Sequence, residues 1–314
     1  MSTIKKSLAA LVAASSVASA APAAAETSRL QISPEITVRR LVVNPPAPKG
    51  TILLLHGFPE TAHTWDEIAT QLGSDYEVHA FDWPGYGQSS RPPAEKFAYA
   101  PRDYAQVVKD YIRAAGIDKS QLVIYATDIG ALPPLLLALD DPGIARKIIV
   151  GDFAPLDRPH YMAERLRMLK APATAAATRA AINQGSSEII ANAFHRGLDA
   201  SEQFAISPAF TADMLAGWNH GPISSGDAFY HYYSHFTRDQ QYLEANLARL
   251  TAPVTVVWGE RDIYIDKKMG EEFSASSGKP LTILPKLGHY PHLQAPQQTI
   301  AEIRAAITSA PPQR

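Results

Sequence analysis

An aspartate stands in the stretch Ala126-Thr127-Asp128-Ile129-Gly130, where a run of β-forming residues gives way at once to an apolar helical pattern. A sharp strand-to-helix turn pushes one side chain out above the strand end, facing the N–H groups that open the next helix. The positions two before and two after must be small because backbones converge there, and they are Ala126 and Gly130. Pro133 and Pro134 fall in the first helical turn, where a missing N–H matters least. By itself Asp128 could simply cap the helix, a common duty of aspartate.

Three further stretches argue for chemistry. In His56-Gly57-Phe58-Pro59-Glu60 the turn can present the Phe58 N–H beside that of Ile129, a two-donor hole for an oxyanion. "WGERD" puts Asp262 just past a strand end, and "LGHYPHL" puts His289 just past the last strand. The order nucleophile, acid, histidine suits a triad built on the strand ends of one sheet. A carboxylate nucleophile has a definite use. It attacks an electrophilic saturated carbon and gives an alkyl ester, whose carbonyl water can then attack. His289 would deprotonate that water while the Phe58 and Ile129 amides hold the oxyanion. A serine in the same place would give an ether that no triad hydrolyses, and no G-x-S-x-G occurs in the chain.

Over residues 36–309 the chain resembles the α/β-hydrolase superfamily, and the aspartate narrows the likeness to epoxide hydrolases and haloalkane or haloacetate dehalogenases. The resemblance implies an α/β fold with a mostly parallel eight-stranded sheet, helices on both faces, and a helical cap inserted after strand 6. It also implies two candidates for the acid that orients His289: Asp262, in the usual place, and Asp152 in "VGDFAP", after the preceding strand. Haloalkane dehalogenases carry an Asn after the "HG" and a Trp after the nucleophile, where this chain has Phe58 and Ile129. Fluoroacetate dehalogenases carry arginines after the nucleophile, and "DIGALPPL" has none. An epoxide leaves as an alkoxide and needs a phenol. The segment "DAFYHYYSHF" resembles the one bearing the ring-opening tyrosine, with Tyr233 the first candidate and Tyr232 and Tyr230 behind it. Those aromatics could equally pack cap against core. The family's other donor lies early in the cap, where Tyr161 and His160 are candidates. Trp218 and Asn219 could instead hold a halide. The expected activity is therefore that of an epoxide hydrolase giving a vicinal diol, with dehalogenation or another hydrolysis on this fold as alternatives.

The elements that must position these residues alternate. Apolar or alternating runs at 36–43, 51–58, 76–87, 121–128, 146–153, 253–262 and 280–289 read as strands, with helical stretches such as 62–72, 101–115 and 131–140 between them. Residues 155–243 hold no buried-strand run but several helix-like stretches, which reads as a cap. The expected division is 1–25 signal peptide, 26–154 first part of the core, 155–243 cap and 244–314 second part of the core. Residues 26–35 read as a leader into the domain.

The chain has 314 residues, 46% hydrophobic and 19% charged, enough for a large core. Its net charge of −2 gives no reason to expect nucleic acid or a membrane surface as a partner, so a small apolar molecule is the expected one. The start, "MSTIKK" followed by "SLAALVAASSVASA", has the pattern of an export signal with small-x-small sites at Ala18-Ser19-Ala20 and Ala23-Ala24-Ala25. Cleavage after Ala25 would remove Lys5 and Lys6 and no acid, leaving −4, and a periplasmic or secreted location follows as an expectation. There are no cysteines, hence no disulfides or thiol chemistry. No cofactor or metal is expected: "GYGQSS" lacks the lysine of a phosphate loop, and His231 and His235, at i and i+4, lack a third ligand. A binding protein without turnover would require a disabled triad, and no disabling substitution is visible.

Overall fold

A computed structural model describes residues 25–308 of the chain. Eight strands form one sheet: β1 (Glu26–Gln31), β2 (Thr37–Val43), β3 (Thr51–Leu55), β4 (Glu77–Phe81), β5 (Leu122–Thr127), β6 (Lys147–Gly151), β7 (Val254–Gly259) and β8 (Leu281–Leu284). Their spatial order is β1-β2-β4-β3-β5-β6-β7-β8, and only β2 runs against the rest, pairing antiparallel with both β1 and β4. All pairings from β4 across to β8 are parallel. The expected signal segment lies outside the described residues.

Burial on both faces explains the continuous apolar runs of the central strands. Along β3, Leu53 and Leu55 enter one core cluster and Ile52 and Leu54 the other, and β5 divides likewise, with Ile124 and Ala126 against Val123 and Tyr125. Helices α1 (Asp66–Leu72) and α11 (Pro296–Thr308) cover one face through Ile68, Leu72, Ile300 and Ile303. The other face takes α2 (Pro101–Ala114), α3 (Leu132–Asp140) and α9 (Lys267–Ser277). A four-residue helix, α10 (Pro291–Gln294), lies in the loop after β8.

Residues 26–35 depart from the leader expectation, because Glu26–Gln31 is the edge strand β1, in register with Val42 to Thr37. Its sequence ETSRLQ has one apolar residue and pairs on one side only, so no buried run marks it.

Between β6 and β7 lie α4 (Glu164–Lys170), α5 (Pro172–Gln184), α6 (Ser186–Asn192), α7 (Pro208–Trp218) and α8 (Ser225–Ala245). The last of these ends two residues past 243. A capping box opens α8: the Ser224 hydroxyl accepts the Asp227 N–H at 2.9 Å and the Asp227 carboxylate accepts the Ser224 N–H at 3.2 Å. From that start Phe229, Tyr232, Tyr233 and Phe236 recur at helical spacing and are buried against the core.

Candidate active site

The loops after β3, β5, β7 and β8 converge at the carboxyl edge of the parallel strands, where ligand sites of such sheets lie. Asp128 closes β5 with φ +51°, a left-handed conformation that a non-glycine residue holds only where its surroundings enforce it. The enforcement is visible at two glycines. A Cβ on Gly130 would lie 2.6 Å from the His56 carbonyl, and one on Gly57 would lie 2.5 Å from the Asp128 Cβ. The strand ends therefore meet where only backbone fits, and the carboxylate projects from the bend.

The Phe58 N–H donates to Asp128 Oδ1 at 2.8 Å. Ile129 follows in the short turn Asp128–Gly130, in the first helical positions whose N–H groups find no intrahelical acceptor. Both expected oxyanion residues thus adjoin Asp128. On its other side, Oδ2 lies 3.4 Å from His289 Nε2. His289 Nδ1 faces Asp262 Oδ2 at 2.8 Å, so the partner fixes the tautomer with hydrogen on Nδ1. Asp262 is itself locked, its Oδ1 accepting the Tyr264 and Ile265 N–H groups at 2.8 and 3.0 Å. Burial works against charge on His289, but the carboxylates of Asp262 and Asp128 outweigh it and hold the imidazole well above its usual range.

Asp152, the other acid, sits behind this pair with φ +50° and no exposure. Its Oδ1 accepts the Gly259 N–H at 2.8 Å, and its Oδ2 makes no hydrogen bond among the described residues. Burial first, then the charge of Asp262, drives its carboxyl well above the ordinary range. Asp152, Asp262 and His289 are the one His/Asp/Glu grouping among the described residues compact enough for a metal, with ligand atoms within 4.8 Å of one another. Two of its ligand atoms, Asp262 Oδ2 and His289 Nδ1, already face each other at 2.8 Å. His231 and His235 belong to no such group among the described residues.

Asp128 and His289 open into a cavity of about 340 Å³, walled by Phe58, Ile182, Ile189, Phe229, Tyr264 and Tyr290, among others. Phe58 stacks on Phe229 of α8 at 4.0 Å, so the cap and the Gly57–Phe58 turn share one aromatic wall. Tyr233 is enclosed beneath Phe229, rings 4.8 Å apart, and does not line the cavity. Burial, then the nearby Asp128 charge, pushes its phenol well above 10, so it stays protonated at neutral pH. The Tyr232 hydroxyl is committed to the Ile129 carbonyl at 3.0 Å. Tyr230 is half-buried under the Arg179 guanidinium. His160 is exposed and Tyr161 half-buried in a turn before α4; neither lines the cavity. Trp218 is buried against Phe58, its N–H directed to Asn183 at 3.4 Å, and Asn219 is exposed. Nothing in the residue pattern marks Tyr264 and Tyr290 as cavity walls, although Tyr290 directly follows His289 and Tyr264 lies two residues past Asp262.

Residues 52–303 match the model of a family described as alpha/beta hydrolase. A Burkholderia fluoroacetate dehalogenase is 34% identical over 106 residues, 33% of this chain and 34% of that protein. Epoxide hydrolase 4 of Mus musculus is 34% identical over 105 residues, 33% of this chain and 28% of that protein. These matches span about a third or less of the relatives' own length. The crystal structure of an epoxide hydrolase from Vigna radiata superposes with a TM-score of 0.69 at 18% identity, covering 91% of this chain and 98% of the other, a likeness of fold.

Proposed function

The chain belongs to the alpha/beta hydrolase family, and we propose that it hydrolyses a small apolar epoxide to a vicinal diol through an ester on Asp128. One observation carries this reading: a carboxylate stands at the elbow with Oδ1 on the Phe58 N–H at 2.8 Å and Oδ2 facing His289 at 3.4 Å. Oδ2 attacks a ring carbon, the ring C–O bond breaks, and the departing alkoxide takes a proton from a phenol that lines the cavity, Tyr264 in this proposal. Water then adds to the ester carbonyl as His289 removes its proton, and the negative charge on Oδ1 is held by the Phe58 and Ile129 N–H groups. Collapse of that intermediate breaks the ester C–O bond, and the leaving alkoxide takes the added hydroxyl's proton to complete the diol. The proton on His289 returns through solvent to the phenolate, and Asp128 is restored with one oxygen from solvent. Esterification also removes one of the two carboxylates that hold the imidazole charged. His289 therefore becomes a base at the step that needs one.

The likeness to a protein named fluoroacetate dehalogenase supports a second reading, halide displacement by the same carboxylate. Incubation with styrene oxide and with 1-bromobutane separates the two. Diol formation from the epoxide is expected. Bromide release without diol would favour the second reading, and turnover of neither would contradict both.

A further inference from the structure

Outside the triad lies a second buried acid–histidine pair, Glu60 and His292, both side chains fully enclosed. Glu60 Oε1 meets His292 Nε2 at 2.7 Å and accepts the Thr64 hydroxyl at 2.6 Å. Its Oε2 accepts the Gly57 N–H at 2.8 Å. Burial would raise this carboxyl, but the charge and hydrogen bond of His292 and the Thr64 hydroxyl outweigh it and draw it down to about 2. An enclosed acid–histidine pair is a poor stabiliser, since desolvation consumes much of its attraction and an apolar pair often does as well. Its placement suggests another use.

Gly57 and Phe58 form the turn whose amide faces Asp128, and glycine gives that turn no stiffness of its own. Every polar backbone atom of the two residues is nevertheless committed. The Gly57 N–H goes to Glu60 and the Gly57 carbonyl faces His56 Nδ1 at 2.7 Å. The Phe58 N–H goes to Asp128, and the Phe58 carbonyl accepts the Tyr290 hydroxyl at 3.0 Å. Tyr290 and His292 both belong to the loop that carries His289. We propose that Glu60 and His292 are positioning residues that pin the His56–Gly57 peptide, and through it the turn, holding the Phe58 N–H where the oxyanion forms during hydrolysis of the ester. The inference rests on the aspartyl-ester reading and adds a constraint to its second half.

The test is single-turnover rapid quench with styrene oxide, following ester formation and ester breakdown separately by intact mass. Losing one oxyanion donor slows such a step by about 10²–10³. Glu60→Ala should slow breakdown about 100-fold and leave formation within about tenfold. Glu60→Gln, which keeps an acceptor for the Gly57 N–H, should recover most of that loss. His292→Gln extends the test if Glu60→Ala does not fold, with the same selective slowing expected. Equal slowing of both halves, or breakdown at the wild-type rate, would overturn the proposal. Absence of any ester in His289→Gln, where it should accumulate, would instead overturn the aspartyl-ester reading.

Discussion

Two acids stand behind one imidazole, and their hydrogen bonds assign them different duties. Asp262 spends Oδ2 on His289 and Oδ1 on two backbone N–H groups, so it is fixed beside the imidazole. Asp152 is enclosed, with burial and the Asp262 charge pushing its carboxyl well above the ordinary range, and asparagine keeps an oxygen to accept the Gly259 N–H. Asp262→Asn should therefore slow ester hydrolysis about 10³-fold while alkylation persists. Asp152→Asn should stay within about tenfold of wild type. Quenched-flow rates of the two half-reactions check this, and a near-silent Asp262→Asn beside a dead Asp152→Asn would reverse the assignment. His289 gives a second prediction. Its folded-state pKa is raised by Asp262 and Asp128, and ester formation cancels the Asp128 charge. The water step needs the neutral imidazole, so its rate should fall as pH drops while alkylation, which needs no base, changes less. Ester should then accumulate on the acid side, with the midpoint of the water step below the histidine pKa of the resting enzyme. Mass spectra of samples quenched across the pH range would show it, and a constant ester fraction would contradict it.

Among elements, the cap is held to the core by a clamp on α7. The Arg39 guanidinium of β2 binds Asp82 through Nε at 2.6 Å and grips both oxygens of Asp213 at 2.6 and 2.7 Å. Asp213 also accepts the Thr61 hydroxyl at 2.7 Å, one residue beyond Glu60. Asp213→Ala strips Arg39 of its bidentate partner while leaving Asp82 in place. Breaking a fully buried pair costs about 3–5 kcal/mol, and partial solvent access at Asp213 reduces this to about 1–3 kcal/mol. Denaturant titration should show that loss, together with a larger rise in KM than fall in kcat, because Thr61 ties α7 to the Gly57–Phe58 turn. Wild-type stability and KM would contradict the clamp. Strand and helix runs were legible where burial imposes a period, as in TILLL and LVIYAT, both enclosed on two faces. The edge strand β1 was not, since pairing on one side asks little of its side chains.

In the whole molecule, chain order alone brought Asp128, Asp262 and His289 within reach of one another, because each ends or follows a strand of one parallel sheet. What stayed illegible depends on contacts between distant segments. Asp262 was preferred to Asp152 only by its place after the strand, and the Glu60–His292 pair and the cavity walls at Tyr264 and Tyr290 leave no spacing to read. Tyr233 is the instructive case: the aromatic run around it is visible in sequence, but whether a ring faces the cavity or lies beneath Phe229 is set by packing. We also propose export, supported by the basic and alanine-rich start. Because β1 begins at Glu26, cleavage at either small-residue site leaves the sheet whole. N-terminal sequencing from a bacterial host should read from Ala21 or Glu26, and an intact Met1 would contradict export.

The most direct test of the central claim is intact and peptide mass spectrometry of His289→Gln quenched during incubation with styrene oxide in ¹⁸O-labelled water, with wild type alongside. The account predicts an adduct on the peptide containing Asp128 in the variant, and solvent oxygen entering that same carboxylate in wild type over repeated turnovers. Diol formation with neither adduct nor label at Asp128 would mean that water attacks the substrate directly, and the carboxylate would not be the nucleophile.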